Sequence, residues 1–221
     1  MMQKVSLAAG SVILAAAWLG PLPELAPHHF SAHMTMHMAV VAVAAPLIAL
    51  GVAGGRLDLT HTYPALFSPL PMSLLELVVV WAWHTPVLHH TARSSAGGLF
   101  VEQGMFLLSG LLVWLSAFGS EARRSGIRAG AGVVALLLTS MHMTLLGALL
   151  ALAPRALYTH AAGVTGSPSL LDEQHLGGAI MLGVGGLSYL AGGLWLSLRL
   201  MAFDSRALRD RPGRAPGGEA A

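Results

Sequence analysis

The sequence predicts an all-α integral membrane protein, a polytopic bundle of about six transmembrane helices with both termini in the cytoplasm. Three observations carry this. Charged residues make up only 10% of the 221-residue chain and hydrophobic residues 55%, whereas a soluble domain carries about 25% charged residues to cover its surface. The apolar residues fall in runs close to the roughly 20 residues that a helix needs to cross about 30 Å of hydrocarbon. None of the runs alternates like a barrel strand, so each must satisfy its backbone internally, as a helix.

Six runs qualify: 5–19, 34–53, 73–90, 99–118, 130–152 and 176–203. In the first, Met1–Lys4 precedes the apolar Val5–Trp18, and Ala15–Ala17 offers small residues of the kind found at signal-peptide cleavage sites. A single positive charge and a long apolar run favour a retained span over a signal peptide for residues 1–20. Residues 21–203 form the transmembrane helical domain. The third run has Glu76 near its cytoplasmic start, which reads as a helix-end charge. The sixth is rich in glycine, and Ala179/Gly183, Ser188/Gly192 and Gly193/Ser197 are small residues four apart, a signal for close helix packing. Residues 204–221 are rich in Arg, Pro and Gly without an apolar period and read as a disordered cytoplasmic tail, with arginines able to touch anionic lipid heads.

Lys and Arg orient the chain. Lys4, Arg56, Arg123, Arg124, Arg128, Arg199, Arg206, Arg209, Arg211 and Arg214 fall on one side, and only Arg93 and Arg155 on the other. The first side is therefore expected in the cytoplasm. The sequence pI of about 9.5 does not indicate nucleic acid, because the basic residues sit in short clusters between spans; lipid is the partner they imply.

On this topology His28, His29, His33, His37, His84, His89, His90, His142, His160 and His175 lie in the outer half of the membrane or beyond it, and only His61 is cytoplasmic. Membrane insertion does not require this, since histidine is mostly neutral at pH 7. His33 and His37 are one helical turn apart and share a face, with Met34, Met36 and Met38 interleaved; Met143 follows His142. Two imidazoles at i and i+4 can clasp one metal ion. With no cysteine in the chain, imidazole and thioether are the soft donors available, a set that suits copper, as Cu(I). The candidate ligands are His33, His37, His84, His142, His175, Met34, Met36, Met38 and Met143. Glu102 and Gln103, just inside the fourth span, are candidate ligands or partners that orient one. The blander reading is that a methionine in a membrane helix packs and a histidine there bridges helices, and His28, His29, His89, His90 and His160 read equally well as loop residues.

The stretches His33-Met34-Thr35-Met36-His37-Met38, Trp83-His84-Thr85-Pro86-Val87-Leu88, Glu102 to Trp114, Leu145 to Tyr158 and Glu173-Gln174-His175-Leu176-Gly177-Gly178 resemble, in order and spacing, the CtaG family of multi-span cytochrome c oxidase assembly factors associated with caa-type oxidases. The resemblance implies a role without catalysis in maturing an oxidase, by delivering or inserting copper. It also implies oxidase subunits and other copper-delivery proteins as partners, and a bacterial cytoplasmic membrane with the metal site on its outer side. His33, His37, His84 and His175 match the family's His and polar positions. Gln103 departs from it, since many members have Glu-His there; His175 or Met105 could supply the missing donor. Two other classes fit the histidines. One is a membrane cytochrome b with His84 and His142 as axial haem ligands. The other is a copper or proton-coupled transporter with Glu102 and His142 along its path.

Overall fold

A computed structural model describes residues 1–120, 126–158 and 169–209, with side chains as far as residue 202. His160, Arg123, Arg124 and the tail beyond residue 209 lie outside the described residues. Ten α-helices and two π segments account for most of the described chain, and there is no strand among the described residues. Five helical stretches are long and apolar enough to cross a membrane, and a bent pair makes a sixth.

The first stretch is α1 (Met2–Leu19), followed by the single turn α2 (Leu22–Leu25). The second is α3 (Phe30–Met38), a π segment (Ala39–Ala44) and α4 (Ala45–Val52). This stretch is central and largely buried. Pro46 explains its irregularity: without an N–H it cannot bond the carbonyl of Ala42, and that carbonyl instead accepts from Ser188 Oγ at 2.6 Å. The π segment also frees the Val41 carbonyl, which accepts from Trp114 Nε1 at 3.1 Å and Tyr189 Oη at 3.3 Å. Inside a membrane every such group needs a protein partner, so the distortion ties the central helix to two neighbours.

The third run departs from the continuous span expected over 73–90. α5 (Pro69–Trp83) ends at His84, and α6 (Pro86–Ser94) leaves at 73° to it. The cause is Thr85-Pro86: the residue before proline is driven to extended backbone, and Thr85 has φ −68° and ψ 143°. Glu76 is also not at a helix end. It lies two turns inside α5, fully buried, and accepts a hydrogen bond from Tyr189 Oη.

α7 (Ala96–Phe118) and α8 (Gly126–Ala151) follow. The last stretch is α9 (Leu170–Ile180), a π segment (Met181–Gly185) and α10 (Gly186–Arg209). α10 thus runs six residues into the expected tail. α8 packs on α5, α7, α9 and α10, and α1 lies at the edge against α4.

One end of the bundle is closed by Asp58, in the loop between α4 and α5. Its carboxylate accepts from the backbone N–H of Gly54 (2.6 Å), Thr60 (3.0 Å) and Ser120 (2.8 Å) and from Thr60 Oγ1 (2.6 Å). Burial pushes this carboxyl up, and the four hydrogen bonds outweigh it, holding the group down at about 2 from its ordinary 3.8. A depressed folded-state value adds stability above the unfolded value and loses it as pH falls through the folded one, so about 2 kcal/mol should disappear between about pH 4 and pH 2. Thermal unfolding across that window should show the loss in the wild type and its absence in Asp58→Asn.

Candidate metal centre

At the opposite end the beginnings of α3, α7 and α9 meet the end of α5 and the short α6. Four histidines converge there, all buried: His33 and His37 from α3, His84 from the α5–α6 bend and His89 from α6. Ring centroids are 5.2 Å apart for His33 and His89, 5.5 Å for His37 and His84, and 6.4 Å for both His33–His37 and His33–His84. Glu102, from the second turn of α7, is fully buried beside them, with Oε2 3.7 Å from His33 Nδ1. His33, His89 and Glu102 each offer a ligand atom, all within 4.8 Å of one another.

The helices dictate this convergence. The one-turn spacing of His33 and His37 puts both on the inner face of α3. The Thr85-Pro86 break turns the chain so that His89 and Arg93, again one turn apart, aim back at α3. Phe106 packs on the ring of His37 at 3.9 Å and on that of His84 at 6.2 Å. Phe30 and Tyr158 close the site over His89, and Tyr158 Oη donates to the His84 carbonyl at 2.7 Å.

Hydrogen bonds fix which ring nitrogens can act as donors to a metal. His84 Nδ1 lies 2.6 Å from the Val80 carbonyl, which only accepts. The ring proton is therefore on Nδ1, and the lone pair sits on Nε2, which has no partner among the described residues. An imidazole oriented in this way by a carbonyl is what metal sites use. His33 Nε2, both nitrogens of His37 and Glu102 Oε1 are also buried without a hydrogen-bond partner among the described residues. Unpartnered polar atoms in this density are costly unless something binds them, so the donor set fits a metal cation.

Arg93 is the charge in this site. Its guanidinium is buried and donates to Glu102 Oε2 at 3.3 Å, to the Ala26 carbonyl at 3.0 Å and to His33 Nδ1. Gln103 Nε2 also lies 3.4 Å from Glu102 Oε2, so Gln103 faces the carboxylate.

The other expected ligands lie elsewhere. Met34 faces α9, where its Cγ would be 2.9 Å from a Cβ on Gly177. Met38 faces the second π segment, together with Met143, against Gly185. Met36 lines a groove with Trp18, Leu99 and Gln103. Met105 accepts from Trp83 Nε1 at 3.3 Å. His142 is buried on α8, with both ring nitrogens unpartnered among the described residues and outside the four-ring cluster. His175 bonds the Ala153 carbonyl through Nε2 at 2.9 Å, while Gln174 accepts from Leu157 N–H at 2.6 Å. The Glu173-Gln174-His175 stretch thus braces the end of α8 and, through Glu173 to Ser31 Oγ at 2.7 Å, the start of α3.

Sequence reasoning assigned His89, Arg93 and Tyr158 no part in the site and read Glu76 as a helix-end charge. The signal for the first two was Thr85-Pro86 followed by a histidine and an arginine four apart on the new helix. For Glu76 and Tyr158 there was no local signal.

Among proteins compared, no curated protein and no solved structure matches the chain. The family model for cytochrome c oxidase caa3 assembly factors (Caa3_CtaG) matches residues 1–202, which hold every described side chain of the site. A match across nearly the whole chain, together with the six apolar helical stretches, makes this protein a member of the cytochrome c oxidase caa3 assembly factor family.

Proposed function

We propose that this protein holds copper, as Cu(I), among His33, His37, His84 and His89 with Glu102, and passes it to an assembling oxidase. The observation that carries the reading is the buried cluster of four imidazoles and a carboxylate, in which His33, His37, His84 and Glu102 have atoms without a hydrogen-bond partner among the described residues. Imidazole is a competent copper ligand, and His84 already presents a fixed lone pair. Copper is cargo in this reading: the protein binds and hands it on without making or breaking a covalent bond. The cluster's end of the bundle faces outward from a bacterial cytoplasmic membrane, where Lys and Arg are scarce, and the recipients are oxidase subunits together with other copper-delivery proteins.

Purified protein loaded with Cu(I) under reducing conditions should retain copper after desalting, and a His33→Ala/His37→Ala double variant should not. Equal copper in the two proteins would remove the cluster from consideration.

A further inference from the structure

We propose that Arg93 is a gate on this site, competing with the metal for a single lone pair of His33. The inference rests on the copper-holding reading above and adds to it the means by which cargo is admitted and released.

A neutral imidazole has one N–H and one lone pair. Arg93 Nη2 lies against His33 Nδ1, and a guanidinium can only donate. The lone pair of His33 therefore sits on Nδ1 and is taken by Arg93, while Nε2 carries the proton and cannot ligate as long as Arg93 stays in place. If the proton moved to Nδ1 to expose a lone pair on Nε2, two donors would face each other, and Arg93 would again have to leave. Ligation through either nitrogen of His33 breaks the contact with Arg93.

Charge gives the same result. Arg93 neutralises Glu102 through Oε2, and a metal cation drawn to that carboxylate would be repelled by the guanidinium in a medium that screens weakly. Arg93 and the metal are thus alternative cations for one carboxylate and one imidazole. Without metal, Arg93 satisfies groups that would otherwise be buried and unpaired. With metal bound, it is expelled.

The structure provides room for the expelled side chain. A groove of about 570 Å³ adjoins the site, lined by Arg93 itself and by Gln103, Ser94, Ser95 and Glu24. Glu24 offers the guanidinium a second carboxylate there. Arg93 is carried on α6, the nine-residue helix set at 73° to α5, so it can withdraw with little disturbance of the spans that hold His33, His37 and Glu102. His89 rides on the same short helix, one turn before Arg93, so a movement of α6 changes a donor and the competing cation together.

The test uses full-length protein in detergent, Cu(I) as probe, and competition against a Cu(I)-specific chromophoric chelator. Arg93→Met keeps the length of the side chain and removes its donors. It should bind Cu(I) about tenfold tighter than wild type or more, the scale of one lost hydrogen bond to a charged group, and release it more slowly. Because Arg93→Met leaves Glu102 without its partner, Arg93→Met/Glu102→Gln provides a charge-balanced version that carries the test even if the single variant fails to fold. It should bind more tightly than Glu102→Gln alone. Imidazole nitrogen-15 spectra of the metal-free proteins give a readout that a merely structural arginine would not move: His33 should show the Nε2–H tautomer in wild type and lose that preference without Arg93. Affinity equal to or below that of the reference protein in both comparisons overturns the gate while leaving the copper site intact. Absence of Cu(I) binding in wild type overturns the copper reading and the gate together.

Discussion

Oxidase maturation should fall to the level of a strain lacking this protein when His33→Ala and His84→Ala are combined, and should be unchanged by His61→Ala. His33 lies at the centre of the cluster, with ring contacts to His37, His84 and His89, and His84 supplies the lone pair whose direction is already fixed. Loss of a group that only orients a ligand typically lowers metal affinity about 10–100-fold, so removal of two donors should exceed that range. His61 is on the far side of the bundle, where Nδ1 contacts the Asp58 carbonyl at 2.9 Å. The helical stretch Phe30–Val52 separates the two ends, and its 23 residues span about 35 Å at 1.5 Å per residue, beyond the reach of any side chain. The measurement is oxidase activity and membrane copper in each variant at matched protein level. Damage from His61→Ala comparable to that from the double variant would show the histidine cluster to be structural.

Gly178→Ala and Gly147→Ala should each destabilise the folded protein by about 3 kcal/mol, the upper part of the usual range for overpacking a tight core. α8 and α9 cross here with backbones nearly touching. A Cβ on Gly178 would lie 2.4 Å from the Ala151 nitrogen, and one on Gly147 would lie 2.6 Å from the Leu182 nitrogen. Both obstacles are main chain, which no rotamer change can move aside, so the helices themselves must separate. The same crossing holds Gln174 and His175 against the end of α8, and its loss should loosen the brace on α3 and lower copper retention as well. Gly104→Ala and Gly130→Ala provide the contrast. A Cβ at either meets nothing within 4 Å, and replacing a helical glycine by alanine gains about 0.5–1 kcal/mol. Unfolding in mixed detergent micelles should separate the two pairs; equal effects at all four positions would mean that the close crossing does not set stability.

These glycines also show how far small-residue spacing can be read. The sixth run signalled close packing, and Gly192 does lie against Trp114 and Gly193 against Leu137. Gly183 in the same pattern faces open space, and the tightest approach to the backbone of another helix falls at Gly178, outside every pair singled out. Spacing identifies a face that can admit a neighbour, whereas the neighbour that takes it is set by the rest of the bundle.

The solvent, the secondary structure and the approximate spans are all legible in the sequence. Those properties are sums over short stretches: apolar content against the thickness of a bilayer, and a backbone that must bond to itself once it leaves water. The sequence also singled out His33, His37, His84 and Glu102, because one-turn spacing and intramembrane charge are local features too. Only the tertiary structure decided which of the histidines meet, that His89 and Arg93 join them, and that the methionines turn away toward Gly177, Gly185 and the groove beside α1. It likewise decided that Glu76, read as a helix-end charge, is a buried acceptor for Tyr189 more than a hundred residues further along the chain. The physical reason is that a helix offers every side chain a direction but no partner. Partners come from other helices, through the bend at Thr85-Pro86, the π segment before Pro46 and the glycine crossing of α8 with α9, and these rotate each face by amounts that no single stretch of sequence encodes.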